Sequence, residues 1–163
     1  MNIEQILNNN WKKIEVNFED FYSITQRVPR KPGIYSISTN APLEILKEYG
    51  ERKDPKHYNL KKKIKASKLL PEKLKIQQEG NQEYIVYNGH HGTLRQRLCE
   101  HFKGSNGTGC LALFRIENLK NYRWFFNYID LSQIDEYEDN KLLGTFLEQK
   151  HRSNIDWPIL CSQ

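Results

Sequence analysis

Long apolar runs and paired cysteines are absent from this 163-residue sequence. A membrane-spanning helix needs about 18 or more consecutive apolar residues, and no stretch of the sequence approaches that length. The first five residues, Met-Asn-Ile-Glu-Gln, lack the basic and then apolar layout of a signal peptide. The three cysteines show no Cys-x-x-Cys spacing, so neither a disulfide framework nor a zinc knuckle is indicated. These absences predict a cytoplasmic protein with reduced thiols and no membrane partner.

Hydrophobic periodicity predicts an α+β fold with a small sheet. Aromatic and β-branched runs predict three strands, near residues 34–38, 84–89 and 122–130. Apolar residues at helical spacing predict helices at residues 2–9, 94–102 and 111–116, from the Asn17/Asp20 cap to Pro29, and from Asn140 onward. Trp11 and Phe18 are interpreted as packing residues, and residues 157–160 as an extended packing segment. The three strands are expected to form a mixed or antiparallel sheet flanked by helices in one domain, residues 1–163.

The excess of basic over acidic residues lies in one segment. Residues 41–82 carry eleven lysines and arginines against six acids, and the remaining residues carry fourteen of each, so this segment accounts for the whole net charge of +5. The segment is far longer than a hairpin loop of about 2–5 residues, so we interpret it as a basic helical insertion between the first two strands, with helices at 42–50 and 59–70. The second helix is expected to turn five lysines outward: Lys61, Lys62, Lys63, Lys65 and Lys68. Such a row neutralises phosphates without reading sequence, although a solvated helix face that keeps the protein soluble fits it equally well.

Residues 87–101 combine a strand end, a glycine turn and the first turns of a helix. Thr93 is a plausible N-cap, and Leu94, Leu98 and Phe102 form a core-facing stripe. Arg97 and His101, four residues apart, lie along one edge of that stripe. Arginine offers a planar fork to phosphate oxygens and histidine moves protons near neutral pH, so the pair suits a phosphodiester. A solvated helix face explains the same residues. His90 and His91 are expected at the surface, and the alternative for His90, beside the turn, is that it joins the site.

Two tyrosine-glycine triplets precede this arginine and histidine. Gly33-Ile34-Tyr35 opens the first strand, and Tyr87-Asn88-Gly89 ends the second, with Arg97 ten residues after its tyrosine. The alternative triplet Tyr84-Ile85-Val86 lacks a glycine and places Arg97 thirteen residues on. The pattern resembles the GIY-YIG nuclease family over residues 31–39 and 83–152, with Asn88 standing where the family motif has an isoleucine.

The resemblance implies metal-dependent hydrolysis of DNA phosphodiester bonds. Tyr35 is expected to take the proton from the attacking water, Arg97 to grip the phosphate, and Tyr87 and His101 to position the water or relay protons. Glu148 is the expected ligand of Mg²⁺ or Mn²⁺, on the helix that begins near Asn140. The apolar face of that helix is predicted as Leu142, Leu143, Phe146 and Leu147, which places Glu148 roughly opposite. Glu136 and Glu138 are the reserve metal ligands, Asn154 stays unassigned, and His151-Arg152 stand where the family continues with aliphatic residues.

The family resemblance leaves the biological activity open between three classes. The leading hypothesis is an endonuclease acting on double-stranded DNA. A stand-alone chain with a basic insertion resembles a restriction endonuclease more than a repair subunit, and cleavage of both strands would imply a homodimer. The alternative is a catalytically inactive nucleic-acid-binding module on the same scaffold. A structural or protein-binding domain is the third possibility.

Overall fold

The computed structural model of the protein describes residues 2–49, 60–105, 108–134 and 141–162. The fold is α+β, as predicted. Its helices are α1 Ile3–Asn9, α2 Phe21–Arg27, α3 Leu43–Glu48, α4 Leu60–Lys68, α5 Leu94–Lys103 and α6 Lys141–Ile155. Its strands are β1 Lys12–Val16, β2 Gly33–Thr39, β3 Tyr84–His91 and β4 Trp124–Asp130. Within the described ranges, no helix has the length and apolar character that crossing a membrane requires.

The sheet has four antiparallel strands in the order β1-β4-β2-β3, so the predicted count of three strands was wrong. The additional strand, β1, pairs with β4 from Lys12 opposite Tyr128 to Val16 opposite Trp124. It is an edge strand in which three of five residues are charged. It is recognised as a strand from this pairing and not from its apolar content. The central strand β2 is buried along its whole length.

The two faces of the sheet bury separate apolar clusters. Tyr35 and Ile37 point into the larger cluster, which includes residues of α2, α4 and α5. Ile34, which alternates with them, points into a smaller cluster with Ile6 of α1 and Leu147 of α6. Edge strand β3 therefore has one helical layer on each side, and residues of both layers meet around it.

The basic insertion lies between β2 and β3, as expected, and it is packed into the core. Leu46 of α3 and Leu60 and Ile64 of α4 are buried in the larger cluster. The predicted helix end at Gly50 and helix start at Asn59 lie outside the described residues. The expected outward row of lysines is wrong at one position, because Lys63 is only 8% exposed. The burial of Ile64 beside it turns Lys63 inward, whereas Lys62, Lys65 and Lys68 are exposed and Lys61 is partly buried.

Three further predictions needed correction. Helix α2 begins at Phe21 rather than near residue 17, since Asn17 Oδ1 accepts the Asp20 backbone N–H and holds a turn there. Phe18, expected as a core or packing residue, is outside the core at 52% exposed; its ring packs edge-on against Phe114 and lies under the Lys120 ammonium group. The predicted helix at 111–116 is a buried segment containing a short 3-10 turn, Leu113–Arg115.

The C-terminal helix buries a different face from the one its hydrophobicity predicts. Leu142 is 75% exposed and Phe146 51% exposed, so the predicted apolar stripe is wrong at both positions. The residues that α6 buries are Gly144, Leu147, His151 and Arg152. The segment after it packs on the domain, as predicted, with the Leu160 backbone N–H donating to the Val86 carbonyl of β3. It is not extended throughout, because the Cys161 backbone N–H donates to the Pro158 carbonyl and closes a turn there.

Candidate active site

Two glycines allow the close packing around Tyr35. Gly89 of β3 lies directly opposite Tyr35 of β2, and a Cβ at position 89 would lie 2.5 Å from the Tyr35 hydroxyl oxygen. A Cβ at Gly33 would lie 2.3 Å from the Ile129 carbonyl oxygen and 2.6 Å from Leu94 Cδ1 of α5. Both contacts are far closer than a real Cβ tolerates. The two glycines of the sequence triplets are therefore required by the packing of the Tyr35 ring and of helix α5.

The Tyr35 hydroxyl group connects an arginine and a histidine of α5. Arg97 Nε donates a hydrogen bond to it at 3.0 Å, and His101 Nε2 lies 2.8 Å from it. The Tyr87 ring packs against the rings of Tyr35 and His101, with centroid distances of 6.1 Å and 4.7 Å respectively. Tyr84, the alternative second tyrosine, instead donates to the Ala41 carbonyl. The structure thus brings together all four residues that the motif predicted: Tyr35, Tyr87, Arg97 and His101.

Burial holds the phenol and the imidazole in their neutral forms. The pKa of Tyr35 is raised well above its usual value by burial, with Tyr87 adding to the rise and Arg97 opposing it. The pKa of His101 is lowered well below its usual value by burial and by the neighbouring Arg97 and Lys63. Because Arg97 Nε only donates, the Tyr35 hydroxyl is free to donate its own proton to His101 Nε2. Within the described residues, His101 Nδ1 has no hydrogen-bond partner.

Glu148 approaches the same strand from the opposite layer. Its Oε2 lies 2.5 Å from His90 Nδ1, and its Oε1 accepts a hydrogen bond of 2.6 Å from Arg152 Nη2. Asn88 joins this group, since its Oδ1 accepts from Arg152 Nε at 2.8 Å and its Nδ2 donates to the Glu148 carbonyl at 3.2 Å. The two positions that depart from the family pattern, Asn88 and Arg152, are therefore bonded to each other. His90 was expected at the surface and is instead a partner of Glu148.

A cavity of about 180 Å³ is lined both by the Tyr35–Arg97 pair and by the His90–Glu148 pair. Gly89, which has no side chain, lines it as well. Its lining includes three basic side chains, Lys63, Arg97 and Arg152, and one carboxylate, Glu148. Glu100 pairs with Arg97 Nη1 at 2.7 Å without lining the cavity. The cavity is therefore cationic, and the neutral phenol of Tyr35 lies at its wall, with the His101 imidazole bonded to it from outside the lining. Such an arrangement binds an oxyanion and accepts a proton beside it.

His90 also lines a larger neighbouring cavity of about 550 Å³. The other polar or flexible lining residues of that space include His91, Gly92 and Lys141. The small cavity suits a single phosphate group, whereas the larger one has room for the rest of a ligand that is attached to that phosphate. His90 is the residue that the two linings share.

Glu148 is the carboxylate of the cavity lining that could hold the expected divalent ion. Among the described residues, no group of three or more His, Cys, Asp or Glu side chains is arranged to hold a metal. Mg²⁺ is commonly held by one or two carboxylates together with substrate phosphates and waters. Glu148 fits this mode, since a carboxylate oxygen that accepts one hydrogen bond keeps a further lone pair for a cation. Glu136 and Glu138 lie outside the described residues, and Asn154 is exposed.

Four residues of the cavity region were missed or misplaced by sequence reasoning: Lys63, Asn88, His90 and Arg152. Two of them had a signal in the sequence, because Asn88 and Arg152 replace aliphatic residues of the family pattern on two elements that face each other. Comparisons of the chain with protein-family models, with curated proteins and with solved structures found no significant match. The function is therefore proposed from the cavity itself.

Proposed function

We propose that this chain is a phosphodiesterase whose substrate is DNA, and more specifically a metal-dependent endonuclease of the GIY-YIG kind. The observation that supports it is that Tyr35, Arg97 and Glu148 line one cationic cavity, with His101 bonded to the Tyr35 hydroxyl behind it. A phosphodiester carries the single negative charge and the tetrahedral oxygens that two guanidinium groups and an ammonium group bind.

Proton transfer from the attacking water runs through Tyr35. As the water attacks phosphorus, its proton passes to the Tyr35 oxygen while the Tyr35 hydroxyl proton passes to His101 Nε2, 2.8 Å away. Tyr35 then never carries a full negative charge, which its burial would penalise. The charge that grows on the phosphate offsets the cost of forming a buried imidazolium at His101.

Arg97 acts on both the phenol and the phosphate. Its Nε–H donates to the Tyr35 oxygen, and its hydrogen bond to Glu100 fixes the guanidinium plane. A preorganised guanidinium stabilises negative charge as it develops in the transition state. Tyr87 packs on Tyr35 and His101 and keeps their rings aligned.

Glu148 is the residue that would hold Mg²⁺ or Mn²⁺, which when bound supplies a Lewis acid for a phosphoryl oxygen and the leaving 3′ oxygen. The lysines of α4 that face solvent, Lys62, Lys65 and Lys68, with the half-buried Lys61, would neutralise phosphates of the double-stranded DNA on either side. A restriction-type enzyme that cuts both strands would act as a homodimer.

Nicking of supercoiled plasmid DNA in Mg²⁺ or Mn²⁺ tests the proposal. The wild-type chain should nick or cut the plasmid, and Glu148→Gln should lower the rate at least about 10²-fold because the carboxylate charge is lost. Glu19→Gln, a change at an exposed acid far along the sequence from the site, is the matched control and should keep the wild-type rate. Equal rates for wild type and Glu148→Gln would contradict the metal assignment.

One observation favours the second candidate, a nucleic-acid-binding module without cleavage. Both oxygens of Glu148 are engaged by His90 and Arg152, so a cationic group already stands beside the only carboxylate among the described lining residues. If Arg152 replaces the metal permanently, the chain binds DNA and cuts nothing. Salt-dependent plasmid binding with no nicking in Mg²⁺, Mn²⁺, Co²⁺ or Ca²⁺ is the result that would establish this alternative.

A further inference from the structure

Lys63 differs from the other lysines of the insertion helix. It is buried, whereas Lys62, Lys65 and Lys68 of the same helix are exposed. Its ammonium group lies over the Tyr87 ring, 5.3 Å from the centroid, and the residue lines the cavity shared by Tyr35 and Arg97. The rest of α4 fixes this placement, because Leu60 and Ile64 are buried in the core and Ser67 Oγ donates to the Ile159 carbonyl at 2.7 Å.

The surroundings of Lys63 do not compensate its charge. Among the residues that the structure describes, no carboxylate forms an ion pair with Lys63, and Arg97 and Lys62 are cationic neighbours. Burial lowers the pKa of Lys63, and these two cations lower it further, whereas Cys161 acts against them. A buried, unpaired ammonium group beside a guanidinium destabilises the folded chain. Such strain is retained where a ligand of the opposite charge relieves it.

We propose that Lys63 binds a nonbridging oxygen of the scissile phosphate, so that the insertion supplies a residue of the active site. The identity of the ligand rests on the proposed function. Lys63 from α4 and Arg97 from α5 line one cavity from two separate elements, and an anion between them would interact favourably with both and compensate the unpaired charge of Lys63. The insertion then has two roles on one short helix: its exposed lysines contact the DNA backbone, and its buried lysine binds the scissile phosphate.

Binding of the dinucleotide dTpT, in EDTA so that no cleavage occurs, tests the phosphate site directly. Chemical-shift titration should give saturable binding to the wild-type chain, and Lys63→Met should weaken it at least about 10-fold. Lys63→Arg, which keeps the charge, should recover part of the affinity. Lys73→Met is the matched control, since it removes one exposed lysine of the same insertion, and it should bind dTpT like wild type. Equal affinity of Lys63→Met and wild type, or no binding of dTpT by wild type, would overturn the inference.

Thermal unfolding separates loss of the site from loss of the fold. Methionine keeps the hydrocarbon stem of lysine and removes the buried charge, so Lys63→Met should melt at or above the wild-type temperature. A clear fall in melting temperature would show a structural lysine and would overturn the inference. The proposed function can fail separately. If dTpT binds through Lys63 and plasmid is never cut, the phosphate site stands and the nuclease falls. If plasmid is cut equally by wild type and Lys63→Met, the nuclease stands and the role of Lys63 falls.

Discussion

The bond between Asn88 and Arg152 predicts a measurable coupling between two positions 64 residues apart in the chain. Asn88→Leu removes the acceptor of Arg152 Nε and the donor to the Glu148 carbonyl. Arg152→Met removes the donor to Asn88 and the partner of Glu148 Oε1. Both side chains are buried, so each single change leaves a polar group in the interior that has lost a partner.

The expected magnitudes follow from these lost partners. A buried polar group deprived of its partner costs about 1–3 kcal/mol, and breaking a buried charged pair costs about 3–5 kcal/mol. We expect Asn88→Leu to destabilise the chain by about 2 kcal/mol and Arg152→Met by about 3 kcal/mol. The double variant should cost only about 3 kcal/mol, because the two new apolar side chains face each other and leave only Glu148 short of a partner. The coupling energy is then about 2 kcal/mol.

Urea unfolding of the wild type, both single variants and the double variant measures this coupling. The midpoints should shift while the slopes stay equal, which shows a change in stability rather than in the unfolded chain. Asn88→Leu combined with Lys73→Met is the control pair, and its effects should add to within about 0.5 kcal/mol. Simple additivity of Asn88→Leu and Arg152→Met, within the same margin, would refute the bonded pair.

Three other predictions concern Gly89, the buried His151 and the divalent ion. Gly89→Ala should lower the free energy of unfolding by about 1–3 kcal/mol and remove most of the activity, because its Cβ would displace the Tyr35 hydroxyl. Gly92→Ala, whose Cβ meets no atom within 4 Å, should change neither. Urea unfolding measures the stability of both variants, and plasmid nicking measures their activity. Burial lowers the pKa of His151 to about 4 from 6.5, so as the pH falls the unfolded chain is protonated before the folded chain. About 2 kcal/mol of stability that is present above pH 6.5 should therefore be lost as the pH falls to 4. His151→Leu should flatten that loss in melting temperature. EDTA should abolish plasmid nicking while the circular dichroism spectrum stays unchanged.

The centre of the site was predictable because local rules determine it. Two glycines that require close approach, and an arginine and a histidine four residues apart on a helix, place Tyr35, Arg97 and His101 together once β2 and β3 pair. Each of these rules acts over a few residues or one strand pair. No knowledge of the other layers is needed.

The remaining features depend on tertiary neighbours that periodicity does not reveal. Strand β1 is charged and short, and only its pairing with β4 identifies it. Helix α6 packs on Asn88 and His90, a polar end of the sheet, so it buries Arg152 and exposes Phe146, against its own hydrophobic pattern. Lys63 adjoins a buried isoleucine on α4, and only the cavity beside it distinguishes it from an outward-facing lysine.

The single-turnover rate of plasmid nicking by Tyr35→Phe tests the central claim most directly. The substitution removes one oxygen, the atom that we propose receives the proton from water, and Tyr22→Phe makes the same change at an exposed tyrosine. In Mg²⁺, Tyr22→Phe should match the wild type, and Tyr35→Phe should be slower by about 10³-fold while it stays folded by circular dichroism. A Tyr35→Phe rate within about 3-fold of wild type would contradict the account, since the proton would then leave the water by another route.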